Sequence, residues 1–264
     1  MPTTRRAFQT IINEYYRHNA RRLPWRETND PYRIFVSEVM LQQTQAQRVV
    51  GKYAQFLAVF PDAHALCQAD ACAVLRVWQG LGYNRRAIAL LRSAQRIVSE
   101  FDGKVPTTES ALMTLPGIGP ATAGAIAAFA YGQPTVFIET NIRRVYLHFY
   151  FDHRTGVRDD EILPIIRDTL DAHDPRRWYY ALMDYGVKLR SIPGLNRRSA
   201  HYAKQSRFQG SNREARGRIL RALLETPEAT VLELSKQTNL PVRRVVAICS
   251  QLREEGLVAQ PLQP

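Results

Sequence analysis

The chain has 264 residues, enough for one large core or for two to three small domains. Its composition, 45% hydrophobic and 23% charged, is ordinary for a soluble globular protein. No apolar run approaches the roughly 20 residues of a membrane span, and Met1 to Arg6 lack the apolar core of a signal peptide. Lys and Arg number 36 against 24 Asp and Glu, a formal net charge of +12. That excess fits a polyanionic partner. Cys67, Cys72 and Cys249 form neither a disulfide framework nor a metal-ligand pattern, so buried thiols in a reducing cytoplasm are expected.

The periodicity predicts a first helix over 5–19, with Phe8, Ile11, Ile12 and Tyr15 on one face. Leu23-Pro24-Trp25-Arg26 breaks it, and Asp30-Pro31 opens a second helix as N-cap and first turn. Tyr32, Phe35, Val36, Val39 and Met40 follow at helical spacing. Further helices are predicted near 46–59, 70–78, 84–100, 109–115, 121–131, 141–151, 159–171 and 178–189. No stretch of the first 190 residues alternates with period two, so this part reads as all-α with short loops.

From Ser191 to Gly210 the pattern fails. Pro193, Gly194, Asn196 and Gly210 mark loops, and Arg190, Arg197, Arg198, Lys204 and Arg207 supply charge. Tyr202 and Phe208 lie among them, a mixture that suits either a linker or phosphate contact with base stacking. Helical periodicity resumes after 212 with Ile219, Leu220, Leu223 and Leu224. Val231, Leu234 and Ser235 begin a second helix, and Pro241 opens a third carrying Val245, Val246, Ile248, Cys249 and Leu252. Gly256-Leu257-Val258 would begin a short strand. Three helices and a strand start resemble a winged helix, with Arg243 and Arg244 where a recognition helix touches DNA; a helical cap or protein-docking module fits the pattern equally.

Chemistry concentrates in two places. Leu115-Pro116-Gly117-Ile118-Gly119-Pro120-Ala121-Thr122 reads as a hairpin between helices. Its glycines allow a tight turn, and Pro120 suits a first helical position. The amides of Ile118 and Gly119 with the following helix N-terminus make a candidate phosphate site. The second place is a pair of carboxyls. Glu38 is set mid-helix, with Ile34 four residues before it and Leu41 three after. A carboxyl among apolar groups has a raised pKa and stays protonated, as a general acid must. Glu139 lies just before the expected N-cap, Thr140 or Asn141, where the positive helix end favours an anion. Two carboxyls pushed apart in pKa supply an acid and an anion for cleavage through an oxocarbenium-like state.

These residues carry a resemblance to the helix–hairpin–helix DNA glycosylases, and within them to adenine DNA glycosylases of the MutY type. Leu23 to Arg26, Ser37 to Thr44, Gly80-Leu81-Gly82-Tyr83, Leu115 to Gly124 and Phe129 to Pro134 match in order and at the family's spacing. The resemblance covers roughly 5–190. It implies that Glu38 protonates the adenine ring and that Glu139 and Asn141 serve the sugar and the attacking water. It places Trp25, Arg26, Leu41 and Ala121 at the base pocket, and Gln42, Gln43 and Tyr83 at the wedge that accompanies base flipping. Leu115, Gly117, Ile118, Gly119 and Thr122 belong to the DNA-gripping hairpin, whose carbonyls are a candidate site for a monovalent cation.

The chain departs from the family in four ways. The family has aspartate where this chain has Glu139. The extra methylene displaces the carboxylate by about a bond length, and a misplacement of about 1 Å can cost about 100-fold. Ala121 stands where these enzymes have serine or tyrosine and the bifunctional ones lysine; without an amine no Schiff base and no strand nicking are expected. The family's four-cysteine iron–sulfur cluster follows Gly186, yet residues 186–212 contain no cysteine, so no cluster is expected. The usual C-terminal domain that reads 8-oxoguanine is expected to be absent, with the winged helix in its place.

The expected architecture is all-α: a two-lobed helix–hairpin–helix glycosylase fold with a C-terminal winged-helix-like module. A six-helix domain would span 28–132, a second helical domain 1–27 plus 133–190, the basic loop 191–211 and the module 212–264. Arg197, Arg198 and Lys204 of the loop are expected to contact DNA. The expected protein is a cytoplasmic monomer, nucleoid-associated in a prokaryote, that acts on duplex DNA with a mismatched or damaged base. Adenine in a mismatch is the first target. Thymine or uracil opposite guanine is an alternative, and a non-catalytic damage sensor is another.

Overall fold

A computed structural model describes residues 4–204 and 207–258. Among them the fold is helical, and an isolated bridge between Val157 and Ser199 is the β pairing present. The α-helices are α1 (Arg5–Asn19), α2 (Pro31–Leu41), α3 (Ala46–Val59), α4 (Ala63–Cys67), α5 (Ala71–Trp78), α6 (Arg85–Glu100) and α7 (Glu109–Leu112). They continue with α8 (Pro120–Tyr131), α9 (Thr140–Tyr150), α10 (Asp159–Thr169), α11 (Pro175–Lys188), α12 (Asn212–Glu225), α13 (Val231–Thr238) and α14 (Val242–Glu254). None among the described residues is long and apolar enough to cross a membrane.

Local sequence explains the boundaries. Asp30 Oδ1 accepts from the amide of Arg33 at 3.0 Å and starts α2. Pro120 opens α8, which Gly132 ends in the left-handed region at φ 64°. Between them Ala123 to Phe129 are all buried. A Cβ on Gly124 would lie 2.9 Å from that of Phe137, so the small residue permits the approach.

The chain forms two compact units. One comprises Met1–Glu38, Pro106–Thr114 and Ile118–Lys204; the other comprises Val39–Val105, Leu115–Gly117 and Gln205–Pro264. Aromatic packing holds the first together. Phe8 contacts the rings of Tyr146, Phe149, Tyr150 and Trp178 at centroid distances of 5.2–5.9 Å. Phe129 stacks on Tyr180 at 4.5 Å. Helix α11 packs along α9, and Gly186 is the point of closest approach: a Cβ there would sit 2.3 Å from the carbonyl oxygen of Asn141. In the second unit α3 to α6 enclose Tyr53, Phe56, Leu66, Leu75, Trp78 and Ile97. Helices α12 to α14 enclose Ile219, Leu234, Val245, Ile248 and Leu252, and α12 meets α5.

Several sequence expectations are corrected. Helix α4 was not anticipated; Asp62 caps it by accepting from the amide of Ala65 at 2.8 Å. The first hairpin helix is a single turn, Glu109–Leu112, rather than one reaching residue 115. Gly256 to Val258 begin no strand, since Leu257 follows the end of α14 in a turn; residues 259–264, where a wing would continue, lie outside the described residues. Within the Ser191–Gly210 stretch the described residues include a 3-10 turn at Leu195–Arg198, and Ala200 donates to the Val157 carbonyl at 2.8 Å. Of the thiols Cys249 is buried, Cys67 is half-buried and Cys72 is exposed, because Cys72 sits on the outer face of α5.

Phe8→Ala empties the centre of the aromatic cluster. It is expected to lower unfolding free energy by about 3–5 kcal/mol, measured by urea denaturation.

Candidate active site

The first unit brings Glu38, Glu139, Asn141 and Arg26 into one electrostatic neighbourhood. Glu38 rides on α2 between buried Ile34, Ser37 and Val39. The residue keeps a little exposed surface, but its carboxyl is desolvated. Burial, then the charge of Glu139, push its pKa up to about 8, against the opposing pull of Arg26.

Glu139 is itself the N-cap of α9, a role expected of Thr140 or Asn141. Its Oε1 accepts from the backbone amides of Asn141 at 2.8 Å and Ile142 at 2.9 Å, and its Oε2 accepts from Asn141 Nδ2 at 3.1 Å. The helix end favours the Glu139 anion as expected, but burial opposes it more strongly. Burial raises its pKa, and the two amides, Arg144 and Arg143 oppose the rise. Both carboxyls are removed from solvent, so both move up. What separates them is that Glu139 has donors fitted to its charged form.

Two residues absent from the sequence reading organise this neighbourhood. Asp184 on α11 is buried, 1% exposed at its side chain, and holds Arg26 through two bonds of 2.8 and 2.9 Å. Arg21 also donates to Asp184 through its backbone amide at 2.9 Å and its side chain. The Arg26 guanidinium lies 4.4 Å from the Tyr180 ring centroid, and Trp25 beside it is buried. Arg144 on α9 donates to Asn141 Oδ1 at 3.0 Å, to Asn196 Oδ1 at 2.9 Å and to the Gly186 carbonyl. It therefore joins the 3-10 turn after α11 to the side chain that holds Glu139. The i, i+3 spacing of Asn141 and Arg144 was a sequence signal for this contact. Nothing local pointed to Asp184, which is 158 residues from Arg26. Ala121 stands exposed in the first turn of α8 and Leu41 half-buried at the end of α2; neither has a polar side-chain atom to add.

The second unit brings together Gln42, Gln43 and Tyr83, the residues expected at the wedge. Gln43 and Tyr83 both have positive φ, 54° and 48°, a conformation that costs a non-glycine residue on the order of 1 kcal/mol or more. Arg86 braces the two turns together. Its Nη1 donates to the carbonyls of Val39, Met40 and Gln42 at 3.0, 2.8 and 2.6 Å. Its Nη2 donates to Thr44 Oγ1 and to the Gly82 carbonyl, both at 3.0 Å. Burial lowers the Arg86 pKa to about 10. Gln42 donates to the Gly117 carbonyl at 3.1 Å, which ties the wedge to the hairpin turn. Gly117 has φ 78°, and a Cβ there would lie 2.9 Å from that of Ala89.

Around the hairpin, Leu115 and Ile118 are buried, Gly117 and Gly119 are exposed and Thr122 is half-buried. In the basic stretch Arg197 and Lys204 are exposed, as are Tyr202 and Phe208. Arg198, also expected to contact DNA, is half-buried, and its Nε donates to the Arg154 carbonyl at 2.9 Å. Near the start of α14, Arg243 is exposed and Arg244 half-buried.

Comparison with known proteins gives two family matches along the chain. A family model described as HhH-GPD superfamily base excision DNA repair protein matches residues 36–163. A model described as winged helix-turn-helix DNA-binding matches residues 213–259. The adenine DNA glycosylase of Mycolicibacterium smegmatis is 35% identical over 93% of this chain and 90% of its own length. That of Buchnera aphidicola subsp. Baizongia pistaciae is 32% identical over 74% of this chain and 56% of its own length. The human adenine DNA glycosylase is 38% identical over 69% of this chain and 35% of its own length. The chain thus spans about half or less of several relatives it matches. Among solved structures, a thermostable thymine-DNA glycosylase superposes with a TM-score of 0.62 at 24% identity, covering 69% of this chain and 85% of that one. A trapped endonuclease III–DNA covalent intermediate gives 0.59 at 17% identity with the same coverage. At these identities the likeness is one of fold.

Two outcomes follow from the geometry. Between the ordinary carboxylate value and about 8, the folded protein keeps a proton on Glu38 that the unfolded chain releases. Stability therefore falls as pH rises through that window. Glu38→Gln should remove this dependence and be more stable than wild type at pH 8 by roughly 2–4 kcal/mol, with the gap closing by pH 4.5; thermal melts from pH 4.5 to 8.5 measure it. Arg86→Ala should lower stability by roughly 2–4 kcal/mol, because it strips a charged donor from several carbonyls at once. Arg86→Lys should recover less than half, since one ammonium cannot span both turns; urea midpoints decide.

Proposed function

Because this chain belongs to the adenine DNA glycosylases of the helix–hairpin–helix base excision repair superfamily, we propose that it hydrolyses the N-glycosidic bond of a base flipped from duplex DNA, with mismatched adenine as target. The observation that carries the reading is the carboxyl pair: Glu38, with its pKa pushed to about 8, beside Glu139, held by two backbone amides and the Asn141 side chain.

At neutral pH Glu38 carries the proton that the leaving base needs. As the glycosidic bond breaks, that proton goes to the adenine ring, and the bonding electrons leave with the base. The sugar becomes cationic at C1′, where the Glu139 carboxylate offsets the charge. A water oriented by Glu139 and Asn141 adds its oxygen to C1′ and gives up a proton to carboxylate. The products are free base and an abasic site in an intact strand. Ala121 has no amine, so no Schiff base forms from that position.

The longer side chain at 139 is accommodated. The two amides that Glu139 engages, two and three residues on, are those that a shorter N-cap side chain engages. The segment after Gly186 does not fit a four-cysteine cluster. It has no thiolate from 186 to 212, while Leu195 is buried and Asn196 is bonded to Arg144. The carbonyls of Leu115, Gly117 and Ile118 are the ligands proposed for a monovalent cation, and that of Gly117 keeps a second lone pair beside its bond to Gln42. The net charge of +12, the exposed Arg197 and Lys204 and the winged-helix match support DNA as the partner.

The test is single-turnover base release from duplexes carrying adenine opposite guanine or 8-oxoguanine, with thymine–guanine and uracil–guanine duplexes alongside. Wild type should release adenine, Glu38→Gln none, with duplex binding within twofold of wild type. Glu139→Gln should slow release at least about 100-fold, and Glu139→Asp should stay within about tenfold. Release of thymine or uracil alone would change the target base. No release from any duplex by wild type would leave a binding protein without this chemistry.

A further inference from the structure

The C-terminal module touches the wedge. Arg213, in the first turn of α12, donates from Nη1 to the Tyr83 hydroxyl at 3.1 Å, and its guanidinium lies 6.0 Å from the Tyr83 ring centroid. Arg86 lies 5.5 Å from the same centroid. The two arginines hold different parts of one side chain. Arg86 fixes the turn beneath it through the Gly82 carbonyl, and Arg213 holds the hydroxyl at its tip.

The module reaches this position by docking on the same elements. Glu255, at the end of α14, accepts from Arg85 of α6 at 2.6 Å and from Arg216 of α12. Arg216 also donates to Gln251 at 3.1 Å. Gly256 fits against the Arg92 guanidinium, where a Cβ would come within 3.2 Å. Arg76 of α5 donates to the Leu224 carbonyl at the end of α12, at 3.4 Å. Glu255 thus joins the two terminal helices of the module to the helix that follows Tyr83.

We propose that the winged-helix module steadies the wedge, with Arg213 as the positioning residue that holds the Tyr83 ring ready for insertion into the duplex. The argument is conformational. Tyr83 is 36% exposed and sits on left-handed backbone, so the surrounding chain covers only part of its ring. A ring that must displace a base stack loses rotamer freedom when it does so, and a ring already held loses less. A charged donor on the hydroxyl, with a second cation near the face, supplies that restraint. The proposal rests on Tyr83 being the wedge of a base-flipping protein, as set out above.

The experiment uses full-length protein and a mismatch duplex with 2-aminopurine at the target position, whose fluorescence rises on unstacking. Wild type, Arg213→Ala, Arg213→Lys, Tyr83→Phe and the Arg213→Ala/Tyr83→Phe double variant are compared. Single-turnover adenine release and affinity for a matched duplex are measured in parallel. Arg213→Ala and Tyr83→Phe should each reduce the unstacked population by about fivefold, and the double variant should be no worse than either, as coupled residues require. Arg213→Lys should recover most of the signal, and matched-duplex affinity should stay within twofold. The proposal is overturned if Arg213→Ala leaves fluorescence unchanged, or if its penalty multiplies with that of Tyr83→Phe. It is equally overturned if matched-duplex affinity falls in step with unstacking, because Arg213 is then a plain phosphate contact. Wild type that unstacks 2-aminopurine but releases no base defeats the glycosylase chemistry alone, and the fluorescence still judges the module. Wild type with no fluorescence response defeats the wedge and this proposal together.

Discussion

The contact between α9 and α11 at Gly186 is the constraint on which the chemistry depends. Asn141, in the first turn of α9, donates both its backbone and its side-chain amide to Glu139. Its backbone lies so close to Gly186 that no side chain fits between them. Two residues earlier on α11, Asp184 holds Arg21 and Arg26. One helix therefore sets the distance to the anion-holding cap and the position of the arginine that acts on Glu38. A shift of α11 would move both surroundings together. Arg144 adds a cross-tie by bonding the Gly186 carbonyl and Asn141 at once.

Dryness and polarity are divided unequally within this site. Removing a carboxylate from water raises its pKa whatever its identity, and both Glu38 and Glu139 feel that penalty. The helix terminus gives Glu139 two amides already aligned at no further ordering cost, while Glu38 emerges from the middle of α2, where the backbone donors are already used. The division of roles follows from position on a helix: a carboxyl at an N-cap is fitted to charge, and one in mid-helix among apolar groups is fitted to a proton. Each ionisation also discourages the other, so the site favours one charge over two.

Much of this was legible in the sequence, because local rules govern it. The Asp30-Pro31 start of α2, the Pro120 start of α8 and the small-residue run after it are all short-range signals, and each element formed where those signals lay. Glu38 among apolar neighbours carried its raised pKa in the i−4 and i+3 positions. Other features were hidden for equally physical reasons. The cap falls at Glu139, one or two residues before the expected Thr140 or Asn141, because glutamate is an uncommon N-cap whose longer side chain here folds back onto the helix. Asp184 and its partners are far apart in sequence, and no local pattern marks a buried carboxylate for distant arginines. The direction of the Glu139 shift depends on how much water the pocket excludes, which is a property of the packed whole.

The wedge shows how strain and restraint are balanced. Two turns, at Gln43 and Tyr83, place non-glycine residues in left-handed backbone. Isolated turns of that kind would relax toward ordinary conformations. Arg86 prevents this by giving its guanidinium to the carbonyls of both turns, and it is buried enough to lose basicity in doing so. Such strain persists only where surrounding structure over-determines it. Here the determining group is one side chain with its donors in a rigid plane, which suits two turns better than a flexible ammonium would. Gln42, bonded to the hairpin at Gly117, adds a third attachment. The unusual backbone at Gln43 and Tyr83 is thereby held by the fold itself.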